Sequence, residues 1–424
     1  MPYSADSLDV RPLHSPEELP EWLRAMATGF LRSAPIGPEQ IAQRAPGIDL
    51  ARTQGAWDDG RCVATFRTTP QQLTVPGGTA LPACAVTNVT VTATHRRRGL
   101  LSRMMADALD AAKERGDPMA SLTAAEYPIY GRYGFGPAAW ISSWEVSLGR
   151  TGLDRRHAGP ADLGDPGRID LVTPEELLHT LPAVHDRFRS GAHRQGTIDR
   201  TARWWENFTG RHRYPGDGFT PAFHAVYRDG DGIPQGAATY SVDDRWDGHR
   251  PDNTLQVHDL FATSTAAETA LWRYLLATDW VQTLRTGPRA PDDVLPHLLP
   301  DPRAARVTSF CDLLWLRPLD VPRMLESRSY STPGTLVLDI HDADGYTGGR
   351  FRLEAGPDGA RCTTTRGEPD LSLDVGELAC LYLGDETAVR LAQLGRLTEH
   401  RAGAAESATL LLRTARRPWC PDTF

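Results

Sequence analysis

Between Ala83 and Thr92 the chain reads Ala-Cys-Ala-Val-Thr-Asn-Val-Thr-Val-Thr, a β-branched stretch that predicts a central strand. The period then changes. Beyond His95-Arg96-Arg97-Arg98-Gly99, apolar side chains recur at Leu100, Leu101, Met104, Met105, Ala108, Leu109 and Ala112, the stripe of an amphipathic helix. Upstream, the stretch from Arg61 to Gly78 reads as two strands joined by a polar turn. Downstream, Met119 to Ala124 reads as a second buried strand, and Pro128 suits the start of a short helix through Tyr130 that Gly131 ends. The strand-like run after Ala139 closes this unit. A Gly-, Pro- and Asp-rich linker follows, from Arg150 to Gly167.

The middle third reads as a worn copy. Leu255 to Ala277 repeats the order strand, Ala-Thr, loop and amphipathic helix, but its loop lacks the arginine cluster and the glycine. The last third changes character from about Val307. Thr335 to Thr365 alternates apolar and polar residues across hairpins with Asp-Gly and Gly-Gly turns, and a strand and helix follow from Asp370. The expected fold class is α/β plus α+β, the last part built on a mostly antiparallel sheet.

A length of 424 residues suits two to four domains. No run of about 18 apolar residues is present, so no membrane span is expected. The polar, acidic N-terminus lacks the pattern of a secretory signal, and the expected location is the cytoplasm. The six cysteines are scattered without a Cys-x-x-Cys pair, which argues for buried free thiols and against a zinc site or a disulfide framework. A net charge of −8 argues against nucleic-acid binding and favours cationic substrates or partners. Of the 46 basic residues only Lys113 is lysine, a bias that reflects a GC-rich coding sequence rather than function.

The segment from Val89 to Ser102 carries the chemistry. A strand that feeds a glycine turn and a helix N-terminus gathers unpaired backbone N–H groups, with the helix dipole behind them. Such a point binds a pyrophosphate. Arg97 and Arg98 add positive charge, and Gly99 lets the backbone approach. An arginine run in isolation reads equally well as a solvated basic face or a nucleic-acid patch; this strand-loop-helix setting favours a phosphate cradle. His95 in the loop reads as a capping or surface histidine.

Arg96-Arg97-Arg98-Gly99-Leu100-Leu101 resembles the acetyl-CoA signature of the GCN5-related N-acetyltransferases, R/Q-x-x-G-x-G/A, with Leu101 where a small residue is usual. Thr94 to Leu101, together with Ile129-Tyr130-Gly131-Arg132-Tyr133-Gly134-Phe135-Gly136-Pro137, is similar more narrowly to the enhanced intracellular survival (Eis) family, in which a bulky residue there is normal. Pro296-His297-Leu298-Leu299, Leu314-Trp315-Leu316-Arg317 and the terminal phenylalanine extend the resemblance over essentially the whole chain.

The resemblance implies two tandem GNAT-like domains, catalytic at 1–150 and degenerate at 151–306, then a sterol-carrier-protein-like domain at 307–424. It implies acetyl-CoA as cosubstrate, with Val89, Thr90 and Val91 on the pantetheine arm. Arg97, Arg98, Gly99, Leu100, Leu101 and Ser102 would lie on the pyrophosphate, and Ala125 and Glu126 would line the cleft. It also implies that no metal takes part and that the protein is a homo-oligomer, a hexamer.

Transfer to an amine needs a base for the amine proton and an acid for the departing thiolate. A tyrosine, ordinarily near pKa 10, is a plausible donor. Tyr130 and Tyr133 taken alone could equally be core aromatics; Tyr130 matches the family's proton donor. The family's base is the carboxylate of the last residue, Phe424 here, and the stiff approach Pro418-Trp419-Cys420-Pro421 argues against simple fraying. Asp422 and Glu126 are alternative acids near the site, each also readable as a plain surface or structural carboxylate. The family implies small polycationic amines, aminoglycosides among them, as substrates. A protein-lysine acetyltransferase and a non-catalytic lipid-binding or assembly protein are the rival readings.

Overall fold

The computed structural model describes residues 8–157, 159–214 and 218–424; the first seven residues of the N-terminal reading and Ala158 of the expected linker lie outside them. The first unit runs β1 Asp9–Pro12, α1 Leu19–Gly29, α2 Pro38–Arg44, β2 Thr53–Asp58, β3 Arg61–Thr74, β4 Ala80–Val91, α3 Leu100–Glu114, β5 Met119–Thr123, α4 Tyr127–Tyr130 and β6 Gly136–Ser147. The second repeats this sequence. It runs β7 Arg168–Leu171, α5 Pro174–Arg189, α6 Ala202–Phe208, β8 Phe223–Arg228, β9 Pro234–Val242, a ribbon of β10 Trp246–Asp247 with β11 Arg250–Pro251, β12 Asn253–Ala262, α7 Thr265–Leu276, β13 Val281–Arg285 and β14 Ala305–Pro318.

These strands, the ribbon apart, form one twelve-stranded sheet in the order β1-β2-β3-β4-β5-β14-β6-β13-β12-β9-β8-β7. The order is a palindrome if each strand of the first unit is matched to its counterpart in the second. Both units have the same parallel pair, β4 with β5 and β12 with β13, among antiparallel neighbours. Each unit also gives its last strand to the other: β6 pairs with β13, and β14 pairs with β5. The repeat expected from sequence is therefore present, with its final strands exchanged.

Two expectations need correction. Arg61 to Thr74 is one strand, not two. Its polar residues read as a turn but stay in the ladder with β4; Pro70 among them lies beyond β2, which pairs with β3 only as far as Arg67, and needs no donor on that side. The change of character placed near Val307 falls inside β14, a strand of the large sheet. The linker expected from Arg150 to Gly167 joins β6 to β7, and its Arg155 guanidinium donates to the carbonyls of Leu276, Thr278 and Val281.

The last unit holds α8 Val321–Ser327, β15 Gly334–His341, β16 Gly349–Gly356, β17 Gly359–Thr364, β18 Leu371–Asp374, α9 Val375–Tyr382, α10 Ala388–Gln393, β19 Leu397–Glu399 and α11 Ala404–Leu412. Its five-stranded sheet, β17-β16-β15-β18-β19, is antiparallel except where β15 meets β18. Alternate residues Leu336, Leu338 and Ile340 of β15 face a core shared with Leu314 and Leu316 of β14 and Ala138 and Ala139 of β6. Burying each such leucine contributes about 1.5–3 kcal/mol, so this unit is packed onto the large sheet. Arg317 locks the joint through Asp342, 2.6 Å away, both side chains buried. The cysteines are free thiols, buried except for half-buried Cys311. No described helix is long and apolar enough to cross a membrane.

Candidate active site

The stripe on α3 buries Leu100, Met104, Met105, Ala108, Leu109 and Ala112 against the sheet, which fixes where the helix begins. Its capping residue is Gly99, at φ +74°, and no side chain caps the helix. The first intrahelical bond runs from Arg103 N to Gly99 O at 3.1 Å. The N–H groups of Leu100, Leu101 and Ser102 therefore have no partner within the helix. Arg97 is also left-handed, at φ +64°, a conformation that costs a non-glycine residue roughly 1–2 kcal/mol.

His95 is not a surface histidine. It is buried, its Nε2 donates to Asp58 at 3.0 Å, and its Nδ1 lies 2.8 Å from the Thr94 hydroxyl. It pins the loop to the end of β2. Arg98 donates to the Thr94 carbonyl at 3.3 Å.

β4 bulges opposite β3, since Thr65 faces Thr90 and Arg67 faces Thr87, leaving Asn88 and Val89 against Phe66 alone. Asn88 takes φ +52°. The Thr65 hydroxyl donates to Asn88 O at 2.8 Å and accepts from Thr90 Oγ1 at 2.7 Å, which holds the bulge in shape. Gly29, at the end of α1, lies so close to Thr90 that a Cβ there would collide with the threonine side chain.

One cleft of about 420 Å³ is bordered by Val89, Thr90, Val91, Arg97, Gly99, Leu100, Leu101, Ser102, Ala125, Glu126 and Tyr130. Of the residues expected from sequence, it leaves out Arg98 and Phe424. Ile129 and Arg132, from the motif around Tyr130, also border it, as do Gly29 and Phe30, which carried no signal in the sequence; only proximity in the fold brings the end of α1 to β4. Tyr130 is buried and packs edge-on to Phe135, ring centres 6.2 Å apart. Burial, then Glu126 and Tyr133, raises its phenol above the ordinary tyrosine range, so it keeps its proton. Tyr133 hydrogen-bonds Ser102 at 3.0 Å and ties the Tyr130 segment to the start of α3. An uncapped fifteen-residue helix with a glycine start, beside a bulged strand edge, fits a pyrophosphate and its pantetheine arm.

A family model described as an acetyltransferase (GNAT) domain matches residues 9–138, a second GNAT-domain model matches 196–318, and a sterol carrier protein domain model matches 321–421. An N-acetyltransferase from Streptomyces avermitilis is 55% identical over 420 residues, 99% of each chain. The N-acetyltransferase Eis of Mycobacterium tuberculosis is 36% identical over 331 residues, 77% of each chain. The chain belongs to the Eis family of N-acetyltransferases. The crystal structure of an Eis protein from Mycobacterium abscessus matches with a TM-score of 0.81 at 29% identity, covering 98% of this chain and all of that one. The Eis architecture of two GNAT domains and a sterol carrier domain is thus the architecture here.

Two terminal residues lie apart from the cleft border. Phe424 is half-buried, packed on the core shared by β14, β6 and the last unit. That core includes Leu314, the cross-strand neighbour of Thr123 at the end of β5. Asp422 is buried and ion-paired with Arg200 at 3.0 Å, which makes it a structural carboxylate. Among the described residues no cluster of three or more His, Cys, Asp or Glu side chains could hold a metal ion.

Proposed function

We propose that this Eis-family protein is an acetyl-CoA-dependent N-acetyltransferase acting on amines of small polycationic molecules, aminoglycosides among them. The observation that supports it most is the cleft itself. It joins open N–H groups at Leu100, Leu101 and Ser102, the β4 bulge, and a buried, protonated Tyr130. Acetyl-CoA would supply the acetyl thioester. Leu100, Leu101, Ser102, Gly99 and Arg97 hold its pyrophosphate, with Arg98 adding charge from the same loop; Val89, Thr90 and Val91 take the pantetheine arm as a strand edge, and Ala125 and Glu126 wall the cleft. Tyr130 Oη holds the proton given to the departing sulfur, and the Phe424 carboxylate takes the proton from the amine. A net charge of −8 favours cationic acceptors. The location is cytoplasmic and the assembly a homohexamer, both following from the sequence reading and the family.

Thiol release from acetyl-CoA, measured against a panel of aminoglycosides and polyamines, tests the substrate class. Turnover with several of them is expected; turnover confined to lysine peptides would replace this reading with a protein-lysine acetyltransferase. Appending a few residues after Phe424 tests the base. It turns the carboxylate into an amide and moves the terminal charge too far for direct transfer. Most turnover should vanish while acetyl-CoA still binds, and an N-terminal extension of equal length should be harmless. Full turnover in the extended chain would assign the base elsewhere, with Glu126 the first candidate.

A further inference from the structure

The two repeats put corresponding pieces of chain around corresponding spaces. In the first, the end of α1, the β4 bulge and the chain after β5 border the open cleft. In the second, β12 bulges against β9 at His258, between Val257 and Asp259. Matching Ala93-Thr94 to Ala262-Thr263 puts Asp259 in the place of Thr90. The end of α5 carries Phe188, and the chain after β13 carries Pro288 and Arg289.

These second-repeat pieces hold the C-terminal arm. Trp419 donates from Nε1 to the Pro288 carbonyl at 3.2 Å. Its ring lies edge-on to Phe188 at 6.2 Å, and the Arg289 guanidinium sits 4.8 Å from it. The Trp419 backbone N donates to Gln195 O at 3.1 Å. Gly196, at φ +96°, passes so close that a Cβ would stand 2.9 Å from the Trp419 carbonyl oxygen.

Two residues before the chain's last, Asp422 accepts from Arg200 Nε at 3.1 and 3.2 Å. The same guanidinium donates to Asp259 at 2.6 and 3.1 Å. Arg200 is 2% exposed and lies 4.0 Å from the Trp204 ring. A guanidinium presents its donors in a fixed fork, so carboxylates bound to two of its edges are held in orientation as well as position. The cluster has two buried carboxylates for one cation. Burial pushes Asp422 above the ordinary carboxylate range, against the pull of Arg200. With that side chain fixed, the Phe424 backbone is confined to within about 7 Å of the anchor.

We propose that the second repeat holds the C-terminal arm in the counterpart of the first repeat's cleft, with Arg200 as the positioning residue that joins Asp259 to Asp422 and thereby sets Phe424. Its catalytic consequence rests on the reading of Phe424 as the base. Arg200→Gln and Asp422→Asn in the full chain test it by two readouts: release of Phe424 by a carboxypeptidase, followed by mass spectrometry, and kcat against KM for acetyl-CoA. Release should quicken by about tenfold or more as the arm opens locally. Turnover should fall by about tenfold to a hundredfold with KM for acetyl-CoA little changed. Arg200→Lys, which keeps the charge but not the fork, should fall between. Should Arg200→Gln not fold, Asp422→Asn leaves the Arg200–Asp259 pair in place and carries the test. Unchanged release in the folded variants overturns the proposal whatever the turnover. Faster release with intact turnover upholds the holding role and removes Phe424 as the base.

Discussion

At the start of α3 the capping residue is Gly99, which has no side chain, and the first three N–H groups belong to residues that border the cleft. At the start of α7 the capping residue is Ser264, whose hydroxyl accepts from Ala267 N at 3.2 Å. The strands before these helices are counterparts, both bulged and both parallel to the strand that follows. What differs is the loop. The first repeat places His95-Arg96-Arg97-Arg98-Gly99 between its Ala-Thr pair and the helix, where the second places Ser264 alone. A serine cap stabilises a helix by about 1 kcal/mol because it satisfies a donor. The first repeat forgoes that gain and leaves its donors open to an anion. One fold thus carries two kinds of helix start, one with its donors unsatisfied and one with a donor capped.

The largest effect that can break this comparison is at Tyr130. If the first repeat alone is catalytic, Tyr130→Phe should lower kcat by about 10²- to 10⁴-fold with KM little changed. Wild-type turnover in that variant would mean that another donor, or the second repeat, does the work. The direction of the Tyr130 shift adds a pH test. An acid must be protonated to act, and burial raises this phenol, so any alkaline decline it causes should lie above about pH 10. A decline set by Tyr130 near neutrality would contradict its surroundings.

The first half of the comparison was legible because its signals are local. The change from β-branched to helical periodicity at Gly99 marks a strand, a turn and a helix start within twenty residues, and the Ala-Thr echo at Ala262-Thr263 marked the copy. What stayed hidden depends on distant partners. Nothing near β14 states that it will pair with β5, because an exchanged strand has the same pattern as one that stays at home. The polar run inside β3 misled for the same reason: whether Pro70 is tolerated there depends on where β2 ends. The end of α1 carries no chemistry of its own and enters the cleft through the close approach of Gly29 to Thr90. Arg200 reads as one surface arginine among many until Asp259 and Asp422 meet it.

A smaller effect is expected at Gly99. A Cβ there meets no atom within 4 Å, so the protein itself does not exclude a side chain at Gly99. The costs of Gly99→Val are the left-handed backbone and the space taken from the ligand. Affinity for acetyl-CoA should fall about tenfold, or 1.4 kcal/mol, as titration calorimetry would read it. Unchanged affinity in a folded variant would take this loop out of the site.

The smallest effect sharpens the comparison from the other side. Ser264→Ala deletes the cap of α7 and should lower stability by about 1 kcal/mol, read as an earlier denaturant midpoint with an unchanged slope. It also frees the Ala267 N–H at a helix start whose strand is the counterpart of β4. If capping alone had closed the second repeat, uncapping would open a second acetyl-CoA site, and calorimetry would show a stoichiometry above one per chain. The structure argues for one. The second repeat lacks the arginine-rich loop, and Trp419 and Asp422 occupy the counterpart space against Pro288, Arg289 and Asp259. Loss of the cap should therefore weaken α7 while leaving stoichiometry, acetyl-CoA affinity and turnover as they were. A second binding event in this variant would show that the arm yields the space, and that the serine rather than the arm keeps the second repeat silent.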